Sequence, residues 1–118
     1  MIVVQVRRTA GWPTGFTVSG HAGSGQRGSD IVCAAVSALT DTTVLGLERL
    51  AGVAARVKAE GGYLRCDLPE DLAEEARDRA ALLIENMLLG FGEIARAYPG
   101  RLLVRDSRGK RGESHVPV

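Results

Sequence analysis

Apolar side chains recur at three- and four-residue intervals through Leu72, Ala76, Ala80, Leu83, Met87, Phe91 and Ile94. Only an α-helix brings that spacing onto one side, and an apolar stripe of this length has to be covered by a sheet or by another helix. The spacing therefore predicts a long helix forming one layer of a layered fold. Pro69 suits its first position, where the missing N–H is no loss, and Glu70, Asp71, Glu74 and Glu75 favour the positive end of the helix dipole. Tyr98-Pro99-Gly100 ends it. Leu82 and Leu89 widen the stripe, which would serve a dimer interface as readily as a thicker core.

The rest of the chain supplies that cover. Ile2 to Arg8 is rich in Val and Ile and reads as a strand, Ala10 to Gly15 as a turn containing Trp12-Pro13-Thr14-Gly15, and Phe16 to Gly20 as a second strand paired with the first. A glycine-rich segment follows. Ser29 or Asp30 then caps a helix whose apolar positions Ile31, Val32, Ala35, Val36, Leu39, Leu45 and Leu47 predict that it is largely buried, ending near Leu50 to Gly52. Val53 to Ala59 and Tyr63 to Leu68 read as a hairpin turning through Glu60-Gly61-Gly62. Arg101 to Arg105 is a last strand, and from Asp106 onward the chain is expected to be unstructured. The fold class is α/β, a single-domain sandwich in the order ββαββαβ, with two helices packed on a mixed, largely antiparallel sheet. Residues 1–106 form the domain and 107–118 a basic tail.

A chain of 118 residues is within the size of one core, and its 45% hydrophobic and 25% charged residues match ordinary globular usage. The formal charge of +1 gives no global signal for nucleic acid, so no direct nucleic-acid partner is expected. Arg105, Arg108, Lys110 and Arg111 form only a local basic cluster, read as solvated. MIVVQVRRT is too short for the apolar region of a signal peptide, and no run approaches the length that spans a bilayer, so a cytoplasmic protein without a membrane partner is expected. Cys33 and Cys66 are the two cysteines of a chain able to build its own core, and a disulfide is not expected. With His21 and His115 they show no paired metal-ligand spacing, so no metal is expected.

Chemistry concentrates in GHAGSGQRGSDIVCAAVS, residues 20–37. Gly23, Gly25 and Gly28 formally satisfy the G-x-G-x-x-G spacing between a strand and a helix. The surroundings argue against a dinucleotide. Gly20-His21-Ala22 separates strand from glycines, no acidic strand end follows at about 20 residues, and Asp30 puts negative charge where pyrophosphate would lie. A P-loop lacks its Gly-Lys-Ser/Thr. The second reading is nucleophilic. With Asp30 as N-cap, Cys33 takes the third helical position, where unpaired N–H groups and the dipole favour a thiolate, and an imidazolium from His21 would favour it further. Ser37 lies one turn along on the same face. Asp30 either orients His21 or caps the helix, and the two roles are compatible. Each residue alone has a plainer reading: a cysteine between Val32 and Ala34 suits a core, and a histidine at a strand end suits the surface. Cys66 illustrates the plainer case, because strand alternation puts it with Leu64 and Leu68 on an inward face.

Gly20-His21-Ala22, a glycine-rich gap and Gly28-Ser29-Asp30-Ile31-Val32-Cys33-Ala34-Ala35-Val36-Ser37 together resemble the signature of the bacterial ribosomal-processing cysteine proteases. Chain length, strand order, the Gly61-Gly62 hairpin and the Tyr98-Pro99 stop are similar too. The resemblance implies a cysteine endopeptidase that removes the N-terminal extension of large-subunit ribosomal protein twenty-seven during ribosome maturation, cutting beside aromatic residues. It implies Cys33 as nucleophile and His21 as general base and acid, with Gly20, Asp30 and Ser37 at supporting positions. It further implies a small cytoplasmic homodimer that uses no cofactor and takes a ribosomal protein precursor as its peptide substrate. The alternative from another class is a non-enzymatic ribosome-associated module that holds a peptide or RNA in the same loop.

Overall fold

The structure is a computed structural model and describes residues 1–20 and 30–107. The elements follow the order β1 (Ile2–Thr9), β2 (Trp12–Gly20), α1 (Ile31–Arg49), β3 (Arg56–Glu60), β4 (Tyr63–Asp67), α2 (Glu74–Ala97) and β5 (Leu102–Asp106). The strands form one five-stranded sheet in the order β3-β4-β2-β1-β5, antiparallel except for the parallel β1–β5 pair. Both helices cover one face, which gives the expected sandwich of two helices on a mixed sheet.

Register explains which face is covered. Val4 pairs with Val18, Val6 with Phe16, and Phe16 with Cys66, so these side chains share one side of the pleat. Val4, Val6, Phe16 and Cys66 are buried there with Val32, Val36 and Leu47 of α1 and Ile84, Met87 and Phe91 of α2. The opposite face carries Gln5, Arg7, Thr17, Lys58, Arg65 and Asp67, as an antiparallel sheet with one wet side allows. Arg7 ties this face together, donating to Thr17 Oγ1 at 2.7 Å and to Asp67 Oδ1 at 3.0 Å.

Several boundaries differ from the sequence expectation. The first turn is only Ala10-Gly11, with φ of 54° and 86°, the two positive values that a two-residue hairpin turn requires. Trp12, Pro13, Thr14 and Gly15 have turn-like composition but belong to β2. Pro13 is accommodated because it sits at the irregularity in register after Arg7, beyond the residues that β4 pairs. Pro69 does not start α2. A turn at Glu70-Asp71 intervenes, and the helix begins at Glu74 after an extended Ala73 that has no side-chain cap. Proline followed by two acids fits a β-turn as well as a helix start, and here the turn prevails. Val53, expected in a strand, is buried in the connection before β3.

α1 is less buried than expected. Ile31 and Leu45 are exposed, whereas Thr40 and Thr43 lie inside, each hydroxyl donating to the carbonyl four residues back. At 19 residues it is also long and apolar enough, by length and composition, to cross a bilayer, contrary to the expectation that no run is. On α2, Ile84 and Leu88 join the buried stripe, while Leu82 and Leu89 point outward. The helices meet closely at Gly90, where a Cβ would stand 2.6 Å from Leu39 Cδ1.

Asp106, expected to be unstructured at the end of the domain, ends β5 and grips Arg8. The Arg8 guanidinium donates to both Asp106 oxygens, at 2.7 and 2.9 Å, and to Glu85 of α2 at 2.7 Å. Burial pulls the Arg8 pKa down, but bonds to Asp106 and Glu85 outweigh it and hold the group protonated. The ion pairs clamp β1, β5 and α2 together. Residues 108–118, including His115 and most of the basic cluster, lie outside the described residues.

Candidate active site

The start of β1, the end of β2, the first half of α1 and the β3–β4 hairpin converge on an open cleft of about 360 Å³. Cys33 and Ser37 line it from α1, and Gly20 from the end of β2. Sequence reading had grouped these three residues, and the fold brings them to one cavity. His21 and the glycines at 23, 25 and 28 lie outside the described residues.

Asp30 is the N-cap of α1, and its Oδ1 accepts the Cys33 N–H at 2.9 Å. Its carbonyl accepts from Ala34 at 3.2 Å, closing the first helical turn. The capping role is thus realised, and Cys33 does occupy the third helical position. The same bond commits the Cys33 N–H to Asp30, so this amide is not among the unpaired donors of the first turn. The helix begins with Ile31 and Val32, whose N–H groups have no acceptor within the helix. The carboxylate at this amide also occupies the place that a phosphate would need, which weighs further against a nucleotide.

Gly20 is required by its backbone. Its φ is +96°, and a Cβ would lie 2.4 Å from the Met1 carbonyl oxygen. Its N–H donates to Gly62 O at 2.9 Å, joining the end of β2 to the hairpin turn and fixing one lip of the cleft.

The two cysteines separate as chemistry demands. Cys33 is half-buried at the cleft, whereas Cys66 is fully buried in the core beside Phe16. Burial, with a smaller contribution from the Asp67 charge, pushes the Cys66 thiol up to about 11, so it stays protonated at neutral pH. Cys66 is therefore packing, as strand alternation predicts.

Sequence reading missed the other walls. Val18, Val36, Ala59 and Leu64 give the cleft an apolar floor, and Asp41, Glu60 and Tyr63 stand around it. Asp41 was within reach of the sequence, eight residues after Cys33 and four after Ser37 on one helix face. Glu60 and Tyr63 come from a hairpin whose position beside α1 depends on β4 pairing with β2, which no local pattern encodes. Leu88 and Phe91 of α2 are core and take no part in the cleft.

Comparison with known proteins identifies relatives of the whole domain. Residues 1–102 match the model of the family described as cysteine protease Prp. The chain belongs to that family. It is 38% identical over 91 residues to the ribosomal processing cysteine protease Prp of Bacillus subtilis (strain 168), covering 75% of this chain and 81% of the relative. Among solved structures it resembles an essential ribosomal processing protease Prp from S. aureus in complex with a covalently linked product peptide. There the TM-score is 0.80 and the identity 25%, with 91% of this chain and 100% of that one covered. A protein of Streptococcus mutans is similar at TM-score 0.77 and 35% identity, over 90% of this chain and 93% of the other. Prp membership makes cysteine protease chemistry for ribosomal processing the frame in which the cleft is interpreted.

Proposed function

We propose that this Prp-family chain is a cytoplasmic, homodimeric endopeptidase that removes the N-terminal extension of large-subunit ribosomal protein twenty-seven, using Cys33 as nucleophile and His21 as its base. The observation that carries the reading is Cys33 at the first turn of α1, facing an open cleft with an apolar floor. An apolar floor suits the aromatic side chain beside the bond to be cut.

Cys33 Sγ, deprotonated by His21, attacks the scissile carbonyl carbon, and the carbonyl π electrons move to oxygen. In this reading the first-turn N–H groups of Ile31 and Val32 are the donors to the developing charge, since donors at a helix start act without reorganising. Collapse of the tetrahedral species breaks the C–N bond, His21 delivers its proton to the leaving amine, and a thioester remains on Cys33. Water, deprotonated by His21, then attacks the thioester carbon and expels the Cys33 thiolate with the second product. Asp30 shapes the start of the helix and Gly20 the lip, and Ser37 lies one turn beyond the nucleophile.

Turnover of the extended ribosomal precursor by purified protein tests the assignment. His21→Ala is expected to lower kcat by at least 100-fold, about the contribution of one positioned acid–base group. An unchanged kcat would assign the base elsewhere. Sedimentation at micromolar concentration is expected to give a dimer, and a monomer would count against that part of the proposal.

A further inference from the structure

Cys33, Ser37 and Asp41 stand four residues apart on α1, and all three line the cleft. With a rise of about 1.5 Å per residue, Asp41 lies about 12 Å along the helix from Cys33. An extended peptide advances about 3.3 Å per residue, so this distance corresponds to three or four residues of bound substrate. Glu60, at the end of β3, lines the same cleft from the hairpin side.

Several carboxylates are paired with arginines, and of the described ones that are not, Asp41 and Glu60 are the two that line the cleft. Asp67 is bonded to Arg7 and Arg65, Asp106 and Glu85 to Arg8, and Glu93 to Arg96. Asp41 and Glu60 are exposed and form no hydrogen bond or ion pair among the described residues. No lysine or arginine is among the described residues that line the cleft. A concave surface with apolar walls, whose described lining carries negative charge and no basic residue, concentrates field lines and favours a cation at its mouth.

We infer that the cleft selects a lysine or arginine of the substrate three or four residues from the scissile bond, with Asp41 as its principal partner and Glu60 as the second carboxylate. The inference rests on the endopeptidase reading, since it measures substrate position from Cys33. It adds a specificity rule: the apolar floor takes a side chain next to the cut, and the acidic mouth fixes register by a charge farther along. Side chains at the mouth remain partly hydrated, so the effect is moderate and weakens with salt.

The test uses peptides with Lys, Ala or Glu at the third and fourth positions on each side of the cleaved bond. Wild-type kcat/KM is expected to rank Lys above Ala above Glu on one side of the bond, with about a tenfold span from Lys to Glu carried mainly by KM. In the Asp41→Asn, Glu60→Gln double variant the ranking flattens. Equal cleavage of Lys and Glu peptides by wild type, or an unchanged ranking in the double variant, overturns the inference while leaving the endopeptidase reading intact. Fluorescence anisotropy of labelled peptides on Cys33→Ala protein separates the two claims, because it needs no turnover. Tighter binding of the Lys peptide, lost in the double variant and at high salt, supports the acidic mouth even if wild type cleaves nothing. Equal binding of all peptides, or binding of none, overturns it.

Discussion

Replacing Gly20 by alanine separates two costs that the backbone imposes together. Gly20 has φ of +96°, a region where an L side chain costs about 1–2 kcal/mol. Its added Cβ would also stand 2.4 Å from the Met1 carbonyl oxygen, a backbone atom held in place as β1 enters the sheet. Relief requires the end of β2 to move, which strains the Gly20 N–H bond to Gly62 O, worth about 1 kcal/mol net. Gly20→Ala should therefore lose about 2–4 kcal/mol. Gly11→Ala is the matched control: φ is +86°, but nothing lies within 4 Å of the added atom, so only the backbone term of about 1–2 kcal/mol applies. Urea denaturation followed by circular dichroism gives both values by linear extrapolation. The reasoning fails if Gly20→Ala is no more destabilising than Gly11→Ala. It also fails if Gly20→Ala unfolds within about 0.5 kcal/mol of wild type, the range of a neutral surface change.

Other outcomes follow from the same contacts. Asp30→Ala removes the acceptor of the Cys33 N–H and should cost about 1 kcal/mol in urea melts, whereas Asp30→Asn, which keeps an acceptor, should stay within about 0.5 kcal/mol. The folded Cys66 thiol titrates at about 11 against an ordinary 9.0. Its contribution is full below the ordinary value and is lost as pH rises toward 11, about 3 kcal/mol in all, so the stability of Cys66→Ala should fall less steeply over that range. In native protein at neutral pH, iodoacetamide should label Cys33 and spare Cys66, as peptide mapping by mass spectrometry would show. Asp106→Ala leaves the largely buried Arg8 with Glu85 as its remaining carboxylate, and should cost about 3 kcal/mol in thermal or urea melts.

Periodicity made the element order and the inward face of the sheet legible before the structure. Val4, Val6 and Cys66 are buried because alternation put them there, and Asp30 caps α1 because its carboxylate reaches the third amide. Boundaries were lost where one residue type serves two conformations. Pro69 suits a turn and a helix start alike, and Pro13-Thr14-Gly15 reads as a turn although an irregular register accommodates it in β2. Asp106 reads as unstructured in the sequence because its partner Arg8 is 98 residues away. Half of the candidate site was legible for the same reason that its helix start was: Gly20, Asp30, Cys33 and Ser37 lie within 18 residues of chain. The facing wall depends on long-range pairing of β4 with β2, and local sequence carries no record of it.

The central claim is that the cleft at Cys33 cleaves a peptide. Its most direct test is mass spectrometry of a synthetic peptide carrying the extended ribosomal N-terminus, after incubation with reduced, folded wild-type protein and with Cys33→Ala. Cleavage at a single bond beside an aromatic residue by wild type alone is the predicted result. An intact peptide with wild type, or equal cleavage by Cys33→Ala, would contradict it and leave the cleft as a site that holds a peptide without cutting it through Cys33.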